Sequence, residues 1–160
     1  MKNQTNEIIS NNLFIKNTFI FSFILLLIDI ITKYIFTNKF FFENSLIYIQ
    51  YSENRGSAFS MFSNFDYYNY LIVILSLFVL YYLYKNITEF NINKITRFSY
   101  YLLIAGIIGN LFDRIIFGYV KDFIGLKYLF IFNIADAYLT FAVLMFIYVE
   151  LRNSSFLSDK

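Results

Sequence analysis

The chain has no cysteine, no histidine, no proline and no tryptophan among its 160 residues. Without cysteine there is no disulfide, no thiolate nucleophile and no Cys-ligated metal. Without histidine, Ser-His and Cys-His catalysis and the usual zinc sites fall away. Acid–base work near neutral pH is left to Asp, Glu, Lys or Tyr. Charge is scarce as well. Only 15% of residues are charged and 59% are hydrophobic, against about 25% and 45–50% in soluble domains. The net charge of +2, with no Lys/Arg run, leaves no basic patch for nucleic acid. The length suits one domain, and a single membrane-embedded domain over residues 1–160 is expected.

What the chain does have is long apolar runs. A spanning helix needs about 20 mostly apolar residues, and four segments qualify, over about residues 18–37, 67–84, 98–117 and 129–151. A soluble bundle would show a polar face on each helix. The second segment is apolar all round, which favours the membrane. The first segment is too long for a signal-peptide core, contains Asp29, and is followed by no small-x-small cleavage site before Lys39, so it is expected to stay as a helix.

Orientation follows from Lys and Arg in the connections. With the N-terminus inside, Lys2, Lys16, Lys85, Lys94, Arg97, Arg152 and Lys160 lie inside, against Lys39, Arg55, Arg114, Lys121 and Lys127 outside. Both termini are therefore placed in the cytoplasm, and residues 38–66 and 118–128 outside. The longer of these two segments exceeds a simple turn. Its stretch LIYIQY, at 46–51, predicts a short strand and a small extracytoplasmic sheet between helices 1 and 2.

An ionised carboxylate at the bilayer centre costs about 2.5–3.5 kcal/mol or more, and such residues persist when they pair, line a wet cavity or act. Asp29 and Lys33 are near the outer end of the first span, Asp113 and Arg114 near that of the third, and Asp122 in the outer connection. Asp136 is expected about two turns into the fourth span. The polar groups thus gather at one depth. Each also has a plainer reading. Asp29 and Lys33, spaced i, i+4, can compensate each other, or the lysine can snorkel. Asn54-Arg55-Gly56-Ser57-Ala58-Phe59 can be a turn, with Gly56 supplying a positive φ. Gly106 and Gly109 suit close helix packing, and Asp113 can be a structural partner of Arg114. Asp122 can be a loop residue and Asp136 a packing acid. Two carboxylates that share a proton can instead divide acid and base roles. That is the most natural peptidase chemistry open to a chain without His, Cys or metal ligands.

Five short motifs then follow in one order. They are Asp29-Ile-Ile-Thr32-Lys33, Asn54-Arg-Gly56-Ser-Ala58-Phe59, Gly109-Asn110-Leu-Phe-Asp113-Arg114, Val120-Lys-Asp122-Phe123 and Phe132-Asn133-Ile-Ala135-Asp136. In these the chain resembles the lipoprotein signal peptidases (signal peptidase II), bacterial aspartic peptidases, from Asp29 to about Phe146. The resemblance implies that Asp122 and Asp136 are the catalytic pair. It implies that Asn54, Asn110, Arg114 and Asn133 support the site or hold the substrate. Asp29, Lys33, Gly56, Asp113 and Ala135 match further motif positions. The implied substrate is a prolipoprotein bearing diacylglyceryl-cysteine, cut just before that cysteine at the outer leaflet of the cytoplasmic membrane. No metal and no cofactor are implied. Membrane lipids are the other expected partners, and a monomer is favoured.

The chain departs from the family pattern in places. Ala105 stands where a glycine is usual. The interval from Asp122 to Asp136 is short and lacks the usual proline. Lys121 replaces an apolar residue, and its charge, if close, would favour ionised Asp122. Two other functions compete with the peptidase: a small ion-coupled transporter and a non-enzymatic membrane scaffold. A transporter calls for polar residues along a path across the bilayer, whereas the inner halves of the four spans carry almost no charge.

Overall fold

In lipid a backbone must satisfy its own polar groups, and a single apolar run does so only as a helix. The computed structural model describes residues 2–37, 41–56 and 67–158. Ser57, Ala58 and Phe59 of the second motif, and Lys39 and Lys160 of the charge comparison, lie outside the described residues. Four helices among the described residues are long and apolar enough to cross a membrane: α1 (Lys2–Thr37), α2 (Tyr68–Lys85), α3 (Lys94–Phe117) and α4 (Ile134–Ser158). A single 3₁₀ turn, Ile87–Phe90, joins α2 to α3.

The bundle is built around α3. Half of its spanning window is buried, against 17% for α1 and α4 and 6% for α2. Gly106 explains the close approach of α4, since a Cβ there would lie 2.7 Å from the Ala135 carbonyl oxygen. At the end expected to face the cytoplasm, the inner end, Phe14 packs with Leu83, Tyr100 and Tyr101. The outward faces of α1, α2 and α4 leave Phe19, Phe23, Leu71, Phe78 and Leu144 exposed, a surface that suits hydrocarbon rather than water.

At the outer end lies a four-stranded antiparallel sheet of β1 (Phe42–Glu43), β2 (Ile47–Asn54), β3 (Val120–Leu126) and β4 (Ile131–Phe132), in that order. The strand expected at 46–51 is β2. The sheet also takes in β3 and β4 from the connection between α3 and α4, so Asp122 sits on a strand rather than in a loop. In the β2–β3 register Ser52 stands opposite Asp122 and Asn54 opposite Val120, with an irregularity between Ile49 and Ser52. Phe123 stacks on Phe36 with centroids 4.7 Å apart, which docks the sheet onto the end of α1.

Two helix starts differ from the sequence reading. Helix α1 begins at Lys2, not near residue 18. Its inner part is held by tertiary contacts: Phe14 is buried, and Asn91 Nδ2 donates to Ser10 Oγ at 3.2 Å. Helix α4 begins at Ile134, not near residue 129. The apolar residues before it turn and pair with β3, Phe132 opposite Ile124. Asn133 then caps the helix, its Oδ1 accepting the Asp136 backbone N–H at 2.9 Å. Asp136, expected two turns in, therefore stands in the first turn of α4.

Candidate active site

The cap of α4 is also the centre of the polar cluster. Asn133 Oδ1 takes the N–H of Asp136, and Asp136 Oδ2 accepts the N–H of Asn133 at 3.2 Å. This is a reciprocal capping box with Asp in the place of the usual Glu or Gln. It fixes the Asp136 carboxylate by local backbone chemistry. The next free N–H of the helix, that of Ala135, is taken by Asp29 Oδ1 at 2.9 Å.

Asn133 reaches the other carboxylate as well. Its Nδ2 donates to Asp122 Oδ1 at 2.7 Å, and Asn54 Nδ2 donates to Asp122 Oδ2 at 2.9 Å. Asn110 Nδ2 donates to Asp136 Oδ1 at 2.7 Å. Asp122 and Asp136, fourteen positions apart in sequence, thus share one bridging residue. Beside them opens a cavity of about 280 Å³, lined in part by Asn54, Asn110, Arg114 and Asp136 and by the apolar Phe130, Phe132 and Leu139.

Asp122 is 2% exposed. Burial, and then the negative charge of Asp136, push its carboxyl from an ordinary 3.8 up to about 7. Hydrogen bonds from Asn54 and Asn133, and the charge of Lys33, oppose that rise. Lys121 is not among the groups that set it. Residues 121 and 122 face opposite sides of the strand, and Lys121 Nζ sits 3.6 Å from the centroid of the Phe117 ring. The closeness to Asp122 on which the sequence expectation rested is therefore absent. The Lys121 backbone N–H instead donates to Asp113 Oδ2 at 3.1 Å.

The remaining sequence candidates surround this core. Lys33 Nζ pairs with Asp29 at 2.8 Å and with Asp113 at 3.0 Å, so the lysine is drawn inward rather than snorkelling. Gly109 permits this, because a Cβ there would lie 2.5 Å from Asp29 Oδ2. Arg114 Nη2 donates to the Gly56 carbonyl oxygen at 2.8 Å, and Gly56 N–H to Asn54 Oδ1 at 3.0 Å. All eleven sequence candidates belong to one connected set of hydrogen bonds and ion pairs.

One residue escaped the sequence reading. Asn69, in the first turn of α2, donates through Nδ2 to the Arg114 carbonyl oxygen at 3.3 Å. Its signal was a lone amide at the outer end of a span without charge. Among the described residues no group of three or more carboxylates is arranged to hold a metal ion.

Comparison with known proteins agrees with this architecture. The family model of signal peptidase II matches residues 21–152. The lipoprotein signal peptidase of Thermodesulfovibrio yellowstonii is 34% identical over 145 residues, covering 81% of this chain and 91% of that one. That of Caldicellulosiruptor bescii is 33% identical over 120 residues, covering 71% and 77%. A bacterial membrane enzyme solved by the in meso method at 2.3 Å resolution superposes with a TM-score of 0.75 at 30% identity, over 88% of this chain and 91% of that one. A second, at 1.9 Å resolution, gives 0.66 at 28% identity, over 86% and 94%. With four spanning helices, an outer sheet and a match over most of its length, the chain belongs to the signal peptidase II family of aspartic proteases.

Proposed function

We propose that this peptidase cuts lipid-modified prolipoproteins immediately before the diacylglyceryl-cysteine, using Asp122 and Asp136 as a pair that shares one proton. Removal of signal peptides from prolipoproteins is the activity of its family. The observation that carries the finer reading is the double role of Asn133. Its backbone N–H holds Asp136, which lines the cavity, and its side-chain amide holds Asp122, so one capping residue fixes both acids.

In this reading the shared proton begins on Asp122. Ionised Asp136 takes a proton from water, and the resulting hydroxide adds to the scissile carbonyl carbon. Asp122 gives its proton to the carbonyl oxygen. As the tetrahedral intermediate collapses, one of its hydroxyls returns a proton to Asp122, the C–N bond breaks and the leaving nitrogen receives the proton that Asp136 had taken, so that both acids end as they began. We place the site at the outer leaflet of the bacterial cytoplasmic membrane, with both termini inside. The Lys/Arg distribution supports this.

The test is cleavage of a lipidated precursor peptide by the purified protein. Asp122→Asn and Asp136→Asn are each expected to lose about 10³-fold or more in rate while still inserting and melting cooperatively. Near-normal cleavage by either variant overturns the assignment. A proton-coupled transporter would need polar groups along the inner half of the bundle. There Thr18 and Ser22 are instead bonded to the backbone oxygens of Phe14 and Tyr101.

A further inference from the structure

An amide side chain has a donor end and an acceptor end, and only its partners decide which way it faces. In this site the decision can be followed step by step. The Asp136 backbone N–H is a donor only, so the Asn133 atom 2.9 Å from it is the oxygen. Asn133 Nδ2 is therefore a donor, and it lies 3.2 Å from Asn110 and 2.7 Å from Asp122. Lys33 Nζ, also a donor only, lies 3.3 Å from the same Asn110 atom. Two donors meet there, so that atom is the oxygen. The Asn110 NH2 then faces Asp136 Oδ1 at 2.7 Å.

Lys33 cannot drift from this position. Asp29 and Asp113 clamp its ammonium at 2.8 and 3.0 Å, the Gly109 carbonyl oxygen lies at 3.4 Å, and the residue is 3% exposed. Turning Asn110 over would aim its NH2 at a fixed positive charge and its oxygen at a carboxylate. Lys33 lines no part of the cavity and hydrogen-bonds neither Asp122 nor Asp136 in the structure.

We propose that Lys33 is a positioning residue that acts through Asn110. It locks the Asn110 amide with its NH2 toward Asp136, so that Asp136 meets the water as a hydrogen-bonded carboxylate and takes its proton. The inference rests on the dyad reading and adds to it what holds the Asp136 carboxylate in place.

A double-variant cycle on the purified full-length protein with a lipidated precursor peptide tests it, with kcat and KM read separately. Lys33→Met and Asn110→Ala are each expected to lower kcat by about 100-fold with little change in KM. With kcat read well below the Asp122 midpoint, where that acid keeps its proton with or without the Lys33 charge, the double variant is expected to be no slower than the slower single variant, because Lys33 has nothing left to orient. Multiplying losses, or a loss confined to KM, overturn the proposal. Lys33→Met leaves two buried carboxylates without their cation. The cycle is therefore repeated in an Asp113→Asn background, which keeps the net charge of the Asp29–Lys33–Asp113 group at its native value. If Lys33→Met prevents folding there too, Lys33 belongs to the architecture and the proposal fails. Asp136→Asn is assayed in parallel. Activity in that variant sinks the dyad reading, while the coupling between Lys33 and Asn110 is still read from the other four proteins.

Discussion

The two ends of the bundle handle their polar groups in opposite ways. Toward the inner end three buried hydroxyls are each tied to a backbone oxygen. Thr18 donates to Phe14, Ser22 to Tyr101 and Tyr100 to Leu83, at 2.9, 3.1 and 2.9 Å, and aromatic rings pack around them. At the outer end side chains bond to side chains across elements: Asn54 to Asp122, Asn133 to Asp122 and Asn110 to Asp136. A hydroxyl paired with the backbone holds a helix together and has no proton to move at neutral pH. A carboxylate held by amides stays aimed at its cavity in either protonation state. The lesson is that intramembrane polarity becomes chemistry where polar groups are coupled to one another, and remains structure where each is quenched alone.

The largest expected contrast is in activity. Asp136→Asn should cost about 10³-fold or more in cleavage, whereas Ser22→Ala, which removes a buried polar group at the other end, should stay within about twofold. A strong loss from the serine change would break the comparison. Next comes pH. The Asp122 carboxyl stands above its ordinary 3.8, at about 7, so its proton is present below that value and lost above it. Cleavage should therefore fall by about tenfold per unit once pH passes the midpoint. The folded state also binds this proton more tightly than the unfolded chain does, so stability should decline as pH rises from about 4 to about 7. Melting curves between those values check the second sign. A smaller effect is expected from packing. Phe14→Ala should lower stability by about 3 kcal/mol with kcat unchanged. Gly109→Ala forces a Cβ to within 2.5 Å of Asp29 Oδ2 and should cost about 1–3 kcal/mol together with cleavage.

Much of this division was legible in the chain. Hydropathy finds spans because lipid leaves the backbone no other choice, and the charges already lay toward one side. The start of α4 was not legible, because a short apolar run reads equally as strand or helix, and only pairing with β3 settled residues 131 and 132. Strand β3 was hidden for a similar reason. Val120-Lys-Asp-Phe-Ile-Gly-Leu carries an acid and a glycine, and its strand character comes from its partner β2. The motif Asn133-Ile-Ala-Asp136 has the spacing of a capping box. That pattern marks the helix start, and the fold uses the same residue to bridge the two acids. Asn69 escaped because its partner is a backbone oxygen 45 residues away, which no local pattern encodes.

Lys121 gives the smallest expected effect and the sharpest check on strand geometry. By sequence adjacency its charge belongs to Asp122, and removing it would disfavour the ionised carboxylate and raise its affinity for a proton. The strand decides otherwise. Neighbouring residues face opposite sides, and the ammonium rests on the Phe117 ring at 3.6 Å. The positive charges that act on the Asp122 carboxyl include those of Lys33 and Arg114. Lys121→Met should therefore leave the alkaline limb of the pH–rate profile within about 0.3 units of the native midpoint, with any loss of cation–π contact appearing as a small fall in melting temperature. An upward shift of a full unit would mean that the ammonium reaches Asp122 after all, and that the two faces of β3 are not separate environments.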